Sequence, residues 1–431
     1  MDMRAVLALI SMVIVFIVSN TVGRKLKLPL CLQFMVACLA ASLVAGFGIP
    51  IRHMVEGTFG YFYIVLVILM AVIYLKVLQA NGCLEGIVKT VARTFGRVPV
   101  LLLFVGVALL YLPGMATGLG VPAVIGIGAL VAPVFIQLGI PVASVAALIT
   151  MGAMLGSVTG PINIPAMIIG CAINMPFEGF EKILPALTVP IGIASTIVLG
   201  LRPALHANGK AIVEKFKLSE GDEKGFKIFI PVITVIGLMI AIRAFPEQII
   251  DFGTPLIFFV GTIVALFCGK RIKLWKTMVD AVDSPILDIA ALLLTVGTVV
   301  QITTLTGVRG IIVVAILSFP TALFYISMVT LLPLFGGFVS MLGATAILGV
   351  PFATYLLGRN TYVLVSAITI LCAVSQYIPP TAICGILAQH LVGLERYSTV
   401  MKKLVIPTAI TLMVCLLCVI YADKVASLLA L

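Results

Sequence analysis

Charged residues are scarce in this sequence. Only 10% of its 431 residues are Asp, Glu, Lys or Arg, whereas 62% are apolar. A soluble domain carries about 25% charged residues, since its surface must be hydrated. A chain this poor in charge cannot cover its own apolar residues with polar surface. The composition therefore excludes a water-soluble globular domain and indicates an integral membrane protein.

Sequence features of metal binding, ATP hydrolysis and intramembrane proteolysis are also missing. The nine cysteines are scattered, mostly within apolar runs, which favours buried packing over metal ligation or a disulfide framework. His53, His206 and His390 share no metal-ligand spacing. No G-x-x-x-x-G-K-[ST] loop is present, so ATP hydrolysis by that mechanism is excluded. We expect no enzyme activity, no cofactor and no metal beyond Na⁺, and an intramembrane enzyme is only a third alternative because Asp280 and Asp283 lie in a polar loop.

Long apolar runs are abundant instead. About 20 helical residues cross the hydrocarbon core of a bilayer, and the runs predict about ten full spans. They lie at 3–22, 31–50, 59–78, 142–176, 185–202, 228–243, 255–270, 285–304, 361–394 and 404–422. Residues 5–19 fit a first span better than a cleaved signal, since no small-residue cleavage site follows them. Two further regions, 98–138 and 319–358, are broken by Gly and Pro near the middle and predict re-entrant hairpins.

The distribution of basic residues indicates how these spans are oriented across the membrane. The net charge is +11, and the basic residues lie in short loops, which argues for a membrane and against nucleic acid as the partner. If the N-terminus is outside and each hairpin returns to its own side, most of the Lys and Arg residues fall in inner loops, as the positive-inside rule requires. We therefore expect a multi-pass protein of a bacterial or archaeal inner membrane, with both termini outside.

The two halves of the chain share one order of features. In each half a span leads to a short amphipathic or apolar stretch, a broken hairpin, a long broken span and a final span. The first half starts outside and the second inside, so the repeats are inverted. The predicted fold is an all-α integral membrane protein with two inverted repeats of the elevator type. Its predicted parts are N-terminal scaffold helices (1–58), a first inverted repeat (59–202), a cytoplasmic linker (203–227), scaffold helices with an amphipathic connection (228–284) and a second inverted repeat (285–431).

Four breaks combine Gly or Pro with Ser, Thr or Asn inside apolar surroundings, at 112–122, 156–165, 334–346 and 375–385. Unwound backbone at membrane depth persists only where it is buried in protein or lines a cavity. Its free carbonyls can bind a cation such as Na⁺, and half-helix N-termini can hold an anion. Paired breaks in inverted repeats are typical of a secondary transporter's binding site. Asp288 is the one acid expected within a span, either as a first-turn acid or as a proton carrier.

Several of these segments resemble a known family. The run GCLEGIVKTVARTFGRVP with the tip LPGMATGLG, and the breaks GSVTGPINIP and QYIPPTAICGILA, are similar to the large membrane subunit of tripartite ATP-independent periplasmic (TRAP) transporters. The resemblance covers about 55–425 and is specific for the wider ion-transporter superfamily. It implies a Na⁺-coupled elevator carrier of small organic anions, such as C4-dicarboxylates. It also implies a small membrane subunit and a periplasmic substrate-binding protein as partners.

The resemblance places substrate between the two hairpin tips and cations at the tips and breaks. The implied residues are Gly114, Thr117, Gly118, Ser157, Thr159, Gly160, Pro161, Asn163, Gly337, Ser340, Gly343, Ser375, Pro379, Pro380 and Thr381. The sequence departs from the family at both tips, because the first reads Pro-Gly-Met-Ala-Thr rather than a serine-rich run and the second has Phe-Val before its serine. A stand-alone proton- or Na⁺-coupled organic-anion permease of the same superfamily is the alternative.

Overall fold

The chain is all-helical in the computed structural model, which describes residues 3–26, 28–176, 179–215, 225–245, 248–250, 252–282, 286–356 and 358–429. No strand occurs in these ranges, and nine of their helices are long and apolar enough to cross a membrane. Helices satisfy their own backbone groups, which lipid cannot do. The predicted all-α membrane fold is confirmed. Residues 216–224 of the predicted linker and Asp283 lie outside the described residues.

The helices of the first half run from the N-terminus to the linker. They are Met3–Leu26, Leu30–Ala45, Ile51–Gly60, Phe62–Ala80, Cys83–Phe95, Pro99–Thr117, Gly120–Gln137, Val142–Thr159, Ile164–Ile173, Ile183–Leu205 and Gly209–Lys215. Pro99–Thr117 and Gly120–Gln137 are the two arms of the first hairpin. Val142–Thr159 and Ile164–Ile173 are the halves of the first broken span.

The second half repeats this order. Its helices are Phe226–Phe229, Ile230–Ala244, Gly253–Cys268, Leu274–Val282, Ile286–Leu305, Val308–Leu317, Thr321–Val339, Met341–Tyr355, Thr361–Val374, Ser375–Tyr377, Ile383–Leu391, Tyr397–Ile420 and Ala422–Leu428. Thr321–Val339 and Met341–Tyr355 form the second hairpin. Thr361–Tyr377 and Ile383–Leu391 form the second broken span. Cys415 and Cys418, spaced C-x-x-C in the last long helix, are buried free thiols.

The two halves pack on each other reciprocally. Leu30–Ala45 packs on Ile286–Leu305 of the other half, and Gly253–Cys268 packs on Phe62–Ala80. Ile51–Gly60 and Leu274–Val282 take the corresponding places in the two halves. The matching order of helices therefore begins before residues 59 and 285, at the first helix of each half.

The two broken spans run antiparallel through the middle of the protein. The first half of each packs against the second half of the other. Gln376 Nε2 donates to Ser157 Oγ at 2.9 Å, and Asn163 Nδ2 donates to Thr369 Oγ1 at 3.2 Å. Of these two contacts, the one that comes later in the first span comes earlier in the second span. This antiparallel pairing supports the predicted inversion of the repeats.

The two broken spans also contain the most completely buried helices. Every residue of Val142–Thr159 after the first is buried, and so is every residue of Thr361–Val374 after the second. The outer helix Met3–Leu26 instead exposes large apolar residues such as Ile14 and Ile17. Exposed apolar side chains suit contact with lipid tails, which are as apolar as Leu. The two helices that lead into the breaks, Val142–Thr159 and Thr361–Val374, therefore lie where lipid does not reach.

Candidate functional site

Both broken spans are interrupted at a proline. In the first, the helix ends at Thr159, and Gly160 has a φ of +90°, a conformation that glycine adopts without a steric cost. Asn163 then caps the second half, because its Oδ1 accepts from Ala166 N at 3.0 Å. In the second, Ala382 precedes the half-helix Ile383–Leu391. The Gly160–Pro161 and Pro379–Pro380 peptides are cis.

Each hairpin tip is attached to the break of its own repeat. Ile162 N donates to Met115 O at 3.3 Å in the first half, and Thr381 N donates to Gly337 O at 3.0 Å in the second. The backbones also touch: a Cβ at Gly114 would lie 2.6 Å from Ser157 N. Tip and break therefore form one packed unit in each repeat.

The first arms of the two hairpins end with the same hydrogen bond. Gly118 N donates to Gly114 O at 2.7 Å, and Ser340 N donates to Gly336 O at 2.8 Å. The backbones then differ, because Gly118 is in the left-handed helical region (φ +67°, ψ +14°), whereas Ser340 has φ +84° and ψ +162°. A positive φ is strained for serine, and such strain is concentrated at functional sites. Ser340 Oγ also caps the second arm by accepting from Gly343 N at 3.4 Å.

Gln376 joins all four broken segments. Its Nε2 lies within hydrogen-bond distance of Ser157 Oγ in the first break, at 2.9 Å, and of Met341 Sδ at the second tip, at 3.2 Å. Its Oε1 accepts from Cys384 Sγ at 3.1 Å. A Cβ at Gly120, in the first tip, would lie 2.3 Å from the same Oε1. The half-buried Gln376 amide therefore stands between the two tips, where substrate is expected.

The predicted site residues take three kinds of position in the structure. Thr117, Gly118, Ser157, Gly337, Ser340 and Ser375 lie at the tips or at their contacts with the breaks. Thr159 is engaged elsewhere, with Oγ1 2.9 Å from Thr188 Oγ1 of the helix Ile183–Leu205. Asn163 is held between its own half-helix and Thr369. Pro161, Pro379 and Pro380 are exposed at the surface of the breaks.

Gln376, Cys384 and Met341 were not among the predicted site residues. Ser375 was predicted beside them, yet its Oγ donates to Cys372 O of its own helix at 2.6 Å. The available signal was the glutamine itself, because a polar residue inside an apolar span is costly and usually functional. The same signal also marks Gln301, a half-buried glutamine in an apolar helix, so the packing is needed to single out Gln376.

The centre of the protein is electrically neutral. Among the side chains that the structure describes, no Asp, Glu, Lys, Arg or His is buried, and no group of His, Cys, Asp and Glu residues could hold a metal ion. Asp288 is exposed in the first turn of Ile286–Leu305. Of its two predicted roles, this position favours the first-turn acid.

We therefore expect Asp288→Asn to change transport by less than about twofold, the effect of an ordinary surface substitution. The measurement is the initial uptake rate in proteoliposomes with an imposed pH or Na⁺ gradient. A loss of gradient-driven uptake in this variant would restore Asp288 as a proton carrier.

The architecture is shared with solved transporter structures. MtrF of Neisseria gonorrhoeae, described as illuminating a class of antimetabolite efflux pumps, has a TM-score of 0.63 at 15% identity, over 92% of this chain and 94% of that chain. The YdaH transporter of Alcanivorax borkumensis, described as having an unusual topology, has a TM-score of 0.54 at 15% identity, over 91% and 97%. The shared fold is that of membrane transporters. No protein-family model and no curated protein sequence matches the chain.

Proposed function

We propose that this chain is a secondary transporter that moves small organic anions, carboxylates such as C4-dicarboxylates, across the membrane by an elevator mechanism coupled to Na⁺. The observation that carries the proposal is the meeting of four broken segments at Gln376. Fold similarity alone does not imply a substrate, since function resides in the site. The chemistry of the site supports an anion and a cation together.

Hydrogen-bond donors at the site favour an anionic substrate. The Gln376 amide can donate to a carboxylate by giving up its bond to Ser157 or Met341, and the half-helices Ile164–Ile173 and Ile383–Leu391 both start at the breaks. Helix N-termini carry partial positive charge and unpaired N–H groups, which suit a carboxylate. The Na⁺ ion is favoured by neutral oxygens, because unwound carbonyls and hydroxyls are the ligands used where acids are absent. We assign these oxygens to the predicted tip and break residues.

The elevator mechanism is supported by the packing. The hairpin tips and both breaks bond to one another, whereas Met3–Leu26 and Leu30–Ala45 lie outside this unit and pack on each other. A unit bonded internally and surrounded by a separate set of helices can move as a rigid body. We assign the hairpins and broken spans to the moving part and the remaining spans to the scaffold.

Two versions of this function differ in the protein partners that they require. A TRAP-type large subunit would work with a small membrane subunit and a periplasmic substrate-binding protein. A stand-alone carrier would need neither. Export of antimetabolites is the second candidate function, since MtrF, whose fold this chain shares, is described as illuminating a class of antimetabolite efflux pumps.

The test is uptake of radiolabelled succinate by proteoliposomes that contain this chain alone. We expect an inward tenfold Na⁺ gradient to raise the succinate accumulated in the proteoliposomes about tenfold over a choline control for each coupled Na⁺, since such a gradient supplies about 1.4 kcal/mol. Flux that starts only when both partner subunits are added would establish the TRAP version. Flux that no Na⁺ gradient changes, for any carboxylate tried, would exclude Na⁺ coupling.

A further inference from the structure

A large cavity lies outside the candidate site, between the outer helix Met3–Leu26 and the second hairpin. Its volume is about 530 Å³, within the range of about 300–1,000 Å³ that is usual for ligand sites. Both arms of the second hairpin line it, through Phe338 and Val339 next to the tip and through Ile347 and Val350. The cavity therefore separates an outer helix from the hairpin that we assign to the moving part.

The cavity is long and apolar. Residues of the outer helix line it from Leu9 to Thr21, a length of about 18 Å at 1.5 Å per helical residue. Met12, Val13, Phe16 and Ile17 lie between them on the same face. An elongated apolar space of this length suits an extended acyl chain.

One cation lies in this lining. Arg309 is half-buried, and its guanidinium donates to Ala172 O at 3.2 Å and to Thr354 Oγ1 at 2.9 Å. A guanidinium has five N–H donors, so these two bonds leave others for a ligand. No Asp or Glu is among the lining residues. The net charge of the lining is positive and is unbalanced by any acid.

Arg309 lies at one end of the cavity. A Cβ at Gly307, two residues before it, would lie 3.3 Å from Ala5 Cβ near the start of the outer helix. The opposite end is lined by Asn20 and Thr21. The cavity thus has a cationic end and an apolar length, which is the shape of an amphiphile with an anionic head.

The corresponding space in the first half serves as an internal comparison. It lies between Ile230–Ala244 and the first hairpin, and its volume is about 90 Å³. Leu84 and Ile87 occupy the places that Arg309 and Ile312 take in the second half, counted from the starts of Cys83–Phe95 and Val308–Leu317. This space therefore has neither the volume of the larger cavity nor a cation at the position of Arg309.

We propose that this cavity binds an anionic phospholipid, with one acyl chain along the outer helix and the phosphate at Arg309. A guanidinium forms strong charge-assisted hydrogen bonds with phosphate oxygens. Arg309 also bonds to the second hairpin through Thr354 and to the first broken span through Ala172. A lipid at this position would lie between the outer helix and the second hairpin.

The experiment measures retained lipid. The protein is exchanged into nanodiscs of equal phosphatidylglycerol and phosphatidylcholine, extracted mildly, and analysed by native mass spectrometry. Both lipids carry a phosphate, but phosphatidylcholine also carries a choline cation, which the Arg309 guanidinium would repel. We therefore expect phosphatidylglycerol to be retained about tenfold over phosphatidylcholine, a preference of about 1.4 kcal/mol. Arg309→Gln should remove this preference, whereas Arg359→Gln, at an arginine outside the cavity lining, should keep it.

A second pair of variants separates lipid binding from folding. Val13→Trp should fill the cavity and reduce retention of either lipid, whereas Val18→Trp should not. Both valines lie on the outer helix with similar exposure, 48% and 55%, and only Val13 lines the cavity. Equal retention by the two Trp variants, or an unchanged preference in Arg309→Gln, would overturn the proposal. Because the readout is bound lipid, it does not depend on transport.

Discussion

Gly114→Ala is expected to reduce the initial rate of transport at least about tenfold. The added Cβ would lie 2.6 Å from Gly156 C and from Ser157 N, and backbone atoms cannot move aside as a flexible side chain can. Overpacking of this kind costs about 1–3 kcal/mol. The first tip must therefore move away from the first break, which would stretch the Ile162–Met115 hydrogen bond and separate Ser157 from the first tip.

The matched control is Gly126→Ala in the second arm of the same hairpin. A Cβ there would have no neighbour within 4 Å, and alanine suits a helix better than glycine does. We expect Gly126→Ala to transport at the wild-type rate and to unfold at the same temperature or slightly higher. The measurement is gradient-driven uptake together with thermal unfolding in detergent. Equal uptake by the two variants would show that the tip need not touch the break.

The spanning helices could be predicted from hydropathy because lipid leaves a chain few alternatives. An apolar run must form a helix to satisfy its backbone, so the spans at 59–78 and 185–202 correspond to Phe62–Ala80 and Ile183–Leu205. Short polar helices were harder to predict. Residues 51–58 fall between the predicted spans 31–50 and 59–78, but they belong to the helix Ile51–Gly60, whose Gly57 packs directly on Gly297 of the other half. That close contact depends on a residue 240 positions away in the chain, which hydropathy does not report.

The breaks were predictable because they cluster Gly and Pro with polar residues, and both residue types disfavour a continuous helix. Isolated prolines such as Pro190 and Pro407 lie inside continuous helices instead. The choice of side chains at the breaks was not. Ser375 and Gln376 are neighbours in the sequence, and on a helix neighbours point about 100° apart. Composition favours the serine as a ligand, whereas packing directs the serine to its own helix and the glutamine to Ser157, 219 residues away. Selecting between them requires knowing how the two repeats pack.

Gln376→Leu is expected to reduce Na⁺-driven succinate uptake at least about 30-fold. Leucine keeps most of the volume of glutamine but can neither donate to Ser157 and Met341 nor accept from Cys384. A lost hydrogen bond to a charged ligand costs about 1.5–3 kcal/mol, and 2 kcal/mol corresponds to about 30-fold. The loss should fall on substrate binding as well as on the contact between the two repeats, so the apparent affinity for succinate should weaken too.

Gln301→Leu is the matched control, since Gln301 is another half-buried glutamine in an apolar helix, Ile286–Leu305. It lies outside the tips and breaks, and its replacement should leave the uptake rate within about twofold of wild type. Gln376→Asn should recover part of the activity, because its amide keeps the donors on a shorter side chain. If Gln376→Leu transports as well as Gln301→Leu while both unfold at the wild-type temperature, substrate does not bind between the two tips. The site would then have to be sought away from the crossing of the four broken segments.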